Sequence, residues 1–185
     1  MAWNLGYTIL KITVIGNSSE LVENIKLFNI HITEDFDVDS KGLIILNDFL
    51  NHSQKIILEK SNELRIPILG IQNGFDGLNQ YFGGSPSIST KKNCSQVFLS
   101  PGAKLSHIIG GSGWVKGNLK IIKTIFNKDL SDNFFASIIS DEGEVLGFEK
   151  PGNHWQFGIR FDTFSSENPR GFEKIISVFF DKCAE

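Results

Sequence analysis

Short apolar runs alternate with amphipathic stretches along the first half of the chain. The apolar runs are typical of strands buried on both faces of a parallel sheet. They cover residues 9–16, 30–33, 42–46 and 66–71. Helical spacing of apolar positions predicts helices over residues 20–28 and 51–63, between these strands. Because strands and helices alternate, we predict a doubly wound α/β sheet with helices on both faces.

Local signals accompany both predicted helices. Asn17, Ser18 or Ser19 offers an N-cap to the first helix, since short polar side chains accept hydrogen bonds from unpaired helical N–H groups. The second helix is expected to turn three apolar side chains toward the sheet: Ile56, Ile57 and Leu64.

The pattern changes after residue 84, where shorter strands are separated by turn signals. The predicted strands cover residues 97–99, 134–140, 144–149 and 156–161. A final helix is predicted over residues 169–183, whose apolar side chains recur at helical spacing. The sequence thus predicts a three-layer α/β sandwich: a mostly parallel doubly wound sheet with an antiparallel extension in its C-terminal half.

A sharp turn is predicted where the fourth apolar run ends. Gly70 closes the strand, Gly74 opens a helical stretch, and Gln72 lies midway between them. At such a strand-to-helix elbow the apex side chain projects over the sheet edge, and the flanking glycines relieve backbone crowding. The apex usually carries a nucleophile, but a carboxamide has no proton to lose near neutral pH. The sequence therefore predicts a catalytic scaffold without its reagent.

Composition and charge narrow the range of partners. The chain of 185 residues fits a single domain spanning residues 1–185. Its net charge of −3 provides no basic field, so we expect no nucleic-acid partner. No apolar run approaches the length of a bilayer span, so we expect no membrane association.

Two cysteines, Cys94 and Cys183, are too few for a disulfide framework in a chain of this length. No Cys-x-x-Cys pair or histidine-rich spacing indicates a metal site. The first seven residues lack the basic region and the long apolar core of a signal peptide. We therefore expect a cytoplasmic protein with no metal and no cofactor.

Three segments resemble class I glutamine amidotransferase-like domains, closest to the gamma-glutamyl-gamma-aminobutyrate hydrolase branch. Residues 70–84 (GIQNGFDGLNQYFGG) follow its elbow signature, which is Gly-x-Cys-x-Gly followed by Leu-Asn and Gly-Gly. Residues 100–110 and 141–149 are similar to two further segments of that branch, in the same order. The resemblance covers most of residues 9–183 and implies the same three-layer fold.

Members of that branch hydrolyse gamma-glutamyl amides through a Cys-His-Glu triad, in which histidine relays the proton and glutamate orients the imidazole. The cysteine position is Gln72 in this chain. The family motif Gly-Val-x-x-His-Pro-Glu aligns with residues 158–164, which makes Asp162 the histidine position and Phe164 the glutamate position. The resemblance therefore implies a pseudoenzyme in which every triad position is replaced.

The oxyanion loop departs from the family as well. The family's Leu-Pro-Gly-Gly becomes Leu46-Asn47-Asp48, and Asn73 follows the apex residue. A carboxylate at Asp48 is expected to repel a developing oxyanion. The family's substrate-binding stretch is not recognisable around residues 114–120.

Three functions remain open from the sequence. The favoured one is a catalytically inactive binding or regulatory module for a small amino-acid-like ligand or a protein partner. Its candidate pocket residues are Gln72, Asn73, Arg160, Asp162 and His154. A hydrogen bond between Gln72 and Asp162 is expected to plug the old site.

The second function is a hydrolase of gamma-glutamyl or other C–N amide bonds with a non-standard site. It would use Asp162 together with His154 as a repositioned base. The third is a structural role through a homodimer.

Overall fold

One nine-stranded sheet organises the protein. The computed structural model describes residues 9–16, 19–28 and 30–185. The strands are β1 Lys11–Ile15, β2 His31–Thr33, β3 Gly42–Ile45, β4 Ile68–Ile71, β5 Ile88–Leu99, β6 Gly113–Thr124, β7 Phe135–Ser140, β8 Val145–Glu149 and β9 Gln156–Ile159. Their order is β2-β1-β3-β4-β9-β8-β7-β5-β6. The five strands from β2 to β9 run parallel, and the pairs from β9 to β6 are antiparallel.

Helices cover both faces of this sheet. They are α1 Ser19–Lys26, α2 His52–Glu63, α3 Asn73–Tyr81, α4 Lys104–Ile109 and α5 Lys174–Ala184. The buried side chains of β3 alternate, with Ile44 in the core beneath α1, α4 and α5. Leu43 and Ile45 belong to the opposite core, beneath α2 and α3. The predicted three-layer sandwich with an antiparallel extension is therefore confirmed.

Some predicted details are wrong. Ile56 and Leu64 do not point inward, because their side chains are 36% and 56% exposed. Helix α2 instead buries Leu58 and Ser61, three residues apart on one helical face, with Ile57 partly buried beside them. The predicted N-cap at residues 17–19 lies outside the residues whose side chains are described.

The last helix is shorter at its start than the periodicity predicts. It begins at Lys174, because Phe172, Lys174 and Ile175 donate backbone hydrogen bonds to carbonyls only three residues back, which forms turns instead of a regular helix. Gly171 within these turns has φ +99°, a conformation that ends regular helix. The apolar side chains of the predicted segment are nevertheless buried, as the periodicity requires.

The largest omission of the sequence-based prediction is the pair β5 and β6. These two strands of twelve residues each pair antiparallel and end the sheet, with α4 between them. The sequence predicts only the last three residues of β5 as strand. The remainder is rich in lysine, serine and asparagine, because its outward face is exposed to solvent.

None of the helices in the described ranges has the length and apolar character that a bilayer crossing requires.

Candidate functional site at the strand-to-helix elbow

Gln72 occupies the corner between β4 and α3. Its backbone has φ +53° and ψ −108°, a region that residues with a side chain rarely adopt. The Gln72 N–H donates to the carbonyl of Ile159, so β4 and β9 remain paired up to the corner. The elbow predicted from the spacing of the glycines is present, with a half-buried carboxamide at its apex.

Close backbone contacts explain the glycines around the apex. A Cβ on Gly74 would lie 1.7 Å from the carbonyl oxygen of Ile45, and a Cβ on Gly70 would lie 2.4 Å from the carbonyl oxygen of Gly74. Both contacts are far shorter than van der Waals distances, so neither position accepts a side chain without backbone movement. The first turn of α3 is thereby pressed against β3, which fixes the corner.

A cavity of about 270 Å³ opens beside the apex. It is lined by Gln72, Asn118, Lys120, Ile122, Arg160, Phe161, Asp162, Ser165, Glu167 and Asn168. Three of the residues predicted for a ligand pocket, Gln72, Arg160 and Asp162, therefore meet at one cavity. Asn73 is the first residue of α3 and is half-buried, but it does not line this cavity.

Arg160 forms a buried cross-link below the apex. Its Nη1 and Nη2 atoms donate to the two carboxylate oxygens of Asp76 at 2.5 and 2.8 Å. Nη2 also donates to the Ser87 hydroxyl at 2.6 Å, and the guanidinium lies 4.0 Å from the centre of the Phe75 ring. The side chains of Arg160 and Asp76 are 1% and 2% exposed. The guanidinium is thus committed to α3 and the start of β5.

Asp162 is held by its own loop. Its Oδ1 accepts a hydrogen bond from the backbone N–H of Phe164 at 2.9 Å, and its carbonyl accepts one from the Asn168 side chain at 2.6 Å. The expected hydrogen bond between Gln72 and Asp162 does not occur among the hydrogen bonds of the described residues. Phe164, at the family's glutamate position, packs with its ring 6.3 Å from that of Phe28.

The two oxyanion-loop positions face other parts of the molecule. The Asn47 side chain packs against Gly16 and lines a separate cavity at the ends of β1 and β3. Asp48 accepts a hydrogen bond from Lys123 of β6 at 2.6 Å. This hydrogen bond lowers the pKa of the Asp48 carboxyl, against a smaller opposing effect of burial. Neither residue lines the cavity beside the apex.

His154 lies at the wrong edge of the sheet to join this site. It precedes β9, next to Trp155, whose carbonyl accepts from the N–H of Ile68 at the start of β4. Gln72 follows the far end of β4, about 13 Å away across four strand residues. The sequence-based grouping of His154 with the apex is therefore wrong, because proximity in sequence to Arg160 and Asp162 spans the whole length of a strand.

Both cysteines are buried, with 3% and 4% of Cys94 and Cys183 exposed. Burial raises the pKa of each thiol, which disfavours the reactive thiolate. Neither thiol lines the cavity beside Gln72. Across residues 9–16, 19–28 and 30–185, no cluster of three or more histidine, cysteine or acidic side chains is arranged to hold a metal ion.

Several cavity residues were not predicted from the sequence. Asn118, Lys120 and Ile122 alternate along β6 and share its exposed face. Lys120 reaches across the cavity mouth to Glu167 at 3.4 Å. The signal that could have identified these residues was the alternation itself, which marks β6 as a strand with one wet face.

Comparison with solved structures places this elbow in a known fold. A putative GMP synthase glutaminase-type chain from Thermoplasma acidophilum aligns with a TM-score of 0.70 at 19% identity, covering 95% of this chain and 94% of that one. A glutamine amidotransferase from Thermotoga maritima aligns with a TM-score of 0.65 at 14% identity, covering 95% and 84%. The glutaminase domain of Trypanosoma brucei CTPS, with bound acivicin, gives 0.66 at 10% identity and 94% of each chain. The chain has the glutamine amidotransferase class I fold.

At these identities the likeness establishes the amidotransferase fold alone. No protein-family model matches the sequence, and the comparison with curated proteins also gives no match. Assignment to the gamma-glutamyl hydrolase branch, and the replacement of its triad, remain predictions from the sequence.

Proposed function

We propose that the chain is a catalytically inactive amidotransferase-like domain of the gamma-glutamyl hydrolase branch, which binds a small amino-acid-like ligand beside Gln72. One observation carries the proposal: the apex of the elbow bears a carboxamide in the strained conformation that nucleophiles adopt in hydrolases. A carboxamide cannot attack an acyl carbon. Within the described residues, no thiol or imidazole lines the cavity that could replace it.

The side chains around the cavity suit a zwitterion. Asp162 provides a carboxylate for an ammonium group, and Lys120 provides an ammonium group for a carboxylate. The Gln72 carboxamide both donates and accepts hydrogen bonds. A volume of about 270 Å³ is just below the range of about 300–1,000 Å³ typical of ligand pockets, which favours a ligand of amino-acid size.

The alternative, an amide hydrolase using Asp162 and His154, loses its main support. The two side chains lie at opposite edges of the sheet, so they cannot share a proton with one substrate.

Activity measurements test the loss of catalysis. We expect the purified protein to release no ammonia from glutamine and no chromophore from gamma-glutamyl-p-nitroanilide above the buffer rate. Gln72→Cys is also expected to show no turnover, because no imidazole lines the cavity to accept the thiol proton. Turnover by the unmodified protein that Gln72→Ala abolishes would contradict the proposal.

Calorimetric titration with glutamine, glutamate and related amino acids tests binding. We expect saturable binding of at least one of them, weakened about tenfold by Asp162→Asn and by Lys120→Met, because each removes a charge-assisted contact. His154→Gln, at the opposite edge of the sheet, is the matched control and should leave the affinity unchanged. Equal affinity in all variants would place the ligand elsewhere.

A further inference from the structure

Lys150 lies at the edge of the sheet opposite to the elbow. It follows β8, and its backbone N–H donates to the carbonyl of Gln156 at 3.0 Å, which closes the hairpin to β9. The side chain is only partly exposed. This position is separate from the cavity beside Gln72, so an activity here is independent of the function proposed above.

The ammonium group of Lys150 has few partners. Its Nζ donates to the side-chain oxygen of Asn62 at 3.2 Å, and Gln156 donates to the same oxygen at 2.7 Å. An ammonium carries three N–H donors, and Asn62 is the one side-chain acceptor that Nζ has within the described ranges. No carboxylate of those ranges lies within 4.0 Å of it, whereas Lys104 and Lys123 each have one.

An aromatic ring shields the same group from water. The Lys150 Nζ lies 5.1 Å from the centre of the Phe82 ring. A cation over such a ring gains about 0.5–1 kcal/mol at exposed sites. Loss of hydration costs a partly buried ammonium more than this gain. Burial accordingly lowers the pKa of Lys150.

The neighbouring ionisable groups are mostly cationic. Lys104 Nζ donates to the Lys150 carbonyl at 2.8 Å. The pKa of His154 is lowered by burial and by the positive charges of Lys150, Arg65 and Lys104. The nearby Glu149 carboxylate is 1% exposed and accepts hydrogen bonds from the first two N–H groups of α4. The cluster therefore presents net positive charge to an approaching anion.

We infer that Lys150 is a nucleophilic amine that is acylated by anionic acyl donors, of which acyl phosphates are the simplest. The neutral Nζ lone pair attacks the acyl carbon and forms a C–N bond. The bond from that carbon to the phosphate oxygen breaks, and inorganic phosphate leaves with the electron pair. The nitrogen then loses one proton to water, which gives an uncharged amide on Lys150.

Acetyl phosphate and peptide mass spectrometry of the full-length chain test this inference. We expect Lys150 to gain acetyl groups about fivefold faster than Lys128 near neutral pH, because a larger fraction of its amine is neutral. Lys128 is the reference, since its side chain is exposed in a short 3₁₀ turn. The same comparison with the uncharged N-hydroxysuccinimidyl acetate separates intrinsic reactivity from attraction of the anion.

Variants of the cationic neighbours divide the two effects further. Arg65→Gln is expected to slow acetylation of Lys150 by acetyl phosphate about twofold and to leave its rate with the uncharged ester unchanged. Arg65 is exposed, so the variant is expected to fold normally, and its melting temperature checks this. Acetylation of Lys150 no faster than that of Lys128 with both reagents would overturn the inference. Equal slowing of both reagents by Arg65→Gln would overturn the recruitment of anions.

Discussion

Gln72 holds a backbone conformation that its own side chain does not require. A φ of +53° with ψ −108° costs a residue with a Cβ about 1–3 kcal/mol. The packing of Gly74 against Ile45 imposes this conformation from outside, through the position of α3. The strain therefore persists whichever side chain stands at the apex.

Replacing Gln72 by glycine tests this account of the strain. We expect Gln72→Gly to be about 1 kcal/mol more stable to urea unfolding than Gln72→Ala, because glycine relieves strain that exceeds its extra unfolded-state entropy of about 0.4–1 kcal/mol. Both variants remove the carboxamide, so the comparison isolates the backbone. An alanine variant as stable as the glycine variant would show that the corner is unstrained.

At the residue scale the sequence predicted the apex but not its surroundings. The spacing of Gly70 and Gly74 around Gln72 is local, and local spacing determines an elbow. The partner of Arg160 is Asp76, 84 residues earlier in the chain, and no local pattern joins them. Arg160 was therefore predicted as a free ligand-binding cation, whereas the fold commits its guanidinium to an internal ion pair.

The ion pair of Arg160 and Asp76 is the main polar connection between two elements, β9 and α3. Removal of one partner leaves a buried charge without compensation, which costs about 3–5 kcal/mol. We expect Arg160→Met and Asp76→Leu each to destabilise the protein by this amount in chemical unfolding.

The double variant distinguishes a paired charge from simple packing. Combined Arg160→Met and Asp76→Leu is expected to be clearly more stable than the sum of the single effects, because no unpaired buried charge remains. Strictly additive losses would mean that the two charges do not depend on each other.

A second connection, between the loop after β3 and β6, is exposed and depends on pH. The pKa of Asp48 is lowered below its ordinary value of 3.8, mainly by the hydrogen bond from Lys123. A lowered carboxyl pKa contributes stability above the unfolded pKa, and this contribution disappears as the pH falls through the folded pKa. The Asp48 side chain is 52% exposed, so the whole effect is at most about 1 kcal/mol.

The pH dependence of the variant Asp48→Asn checks this connection. We expect the stability difference from the unmodified protein to be constant between about pH 5 and 7 and to shrink below about pH 4. A difference that grows at low pH would reverse the assigned sign.

At the element scale, strands buried on both faces were predictable and exposed ones were not. β1, β3 and β4 are continuous apolar runs, and their positions agree with the prediction within two residues. β6 faces solvent on one side and packs Gly117 against Pro169 on the other, so its apolar pattern is interrupted. The pairing of β6 with β5 is what identifies it as a strand.

The whole molecule keeps its two native thiols inside the hydrophobic core. We expect a disulfide reagent such as DTNB to react with the folded protein only at the rate of unfolding, because Cys94 and Cys183 are buried and their raised pKa disfavours thiolate. Gln72→Cys should add one rapidly reacting thiol, since residue 72 is half-exposed. Fast reaction of the unmodified protein would contradict the buried positions.

Sheet topology also explains why the candidate site was only partly predictable. Gln72 and Asp162 meet because β4 and β9 are parallel neighbours, although the strands of the antiparallel extension lie between them in the chain. His154 was assigned to the same group because it is near Asp162 in sequence. A strand crosses the sheet from one edge to the other, and the two ends of β9 therefore serve different surfaces.

The corner at residue 72 has a practical consequence for protein engineering. Since the contact between Gly74 and Ile45 holds the bend, the amino acid at the apex is free to change without loss of the bend. A synthetic handle, a fluorophore or an unnatural catalytic group attached there would be presented at a fixed angle beside a small polar chamber. The domain thus offers a rigid mount for installed chemistry.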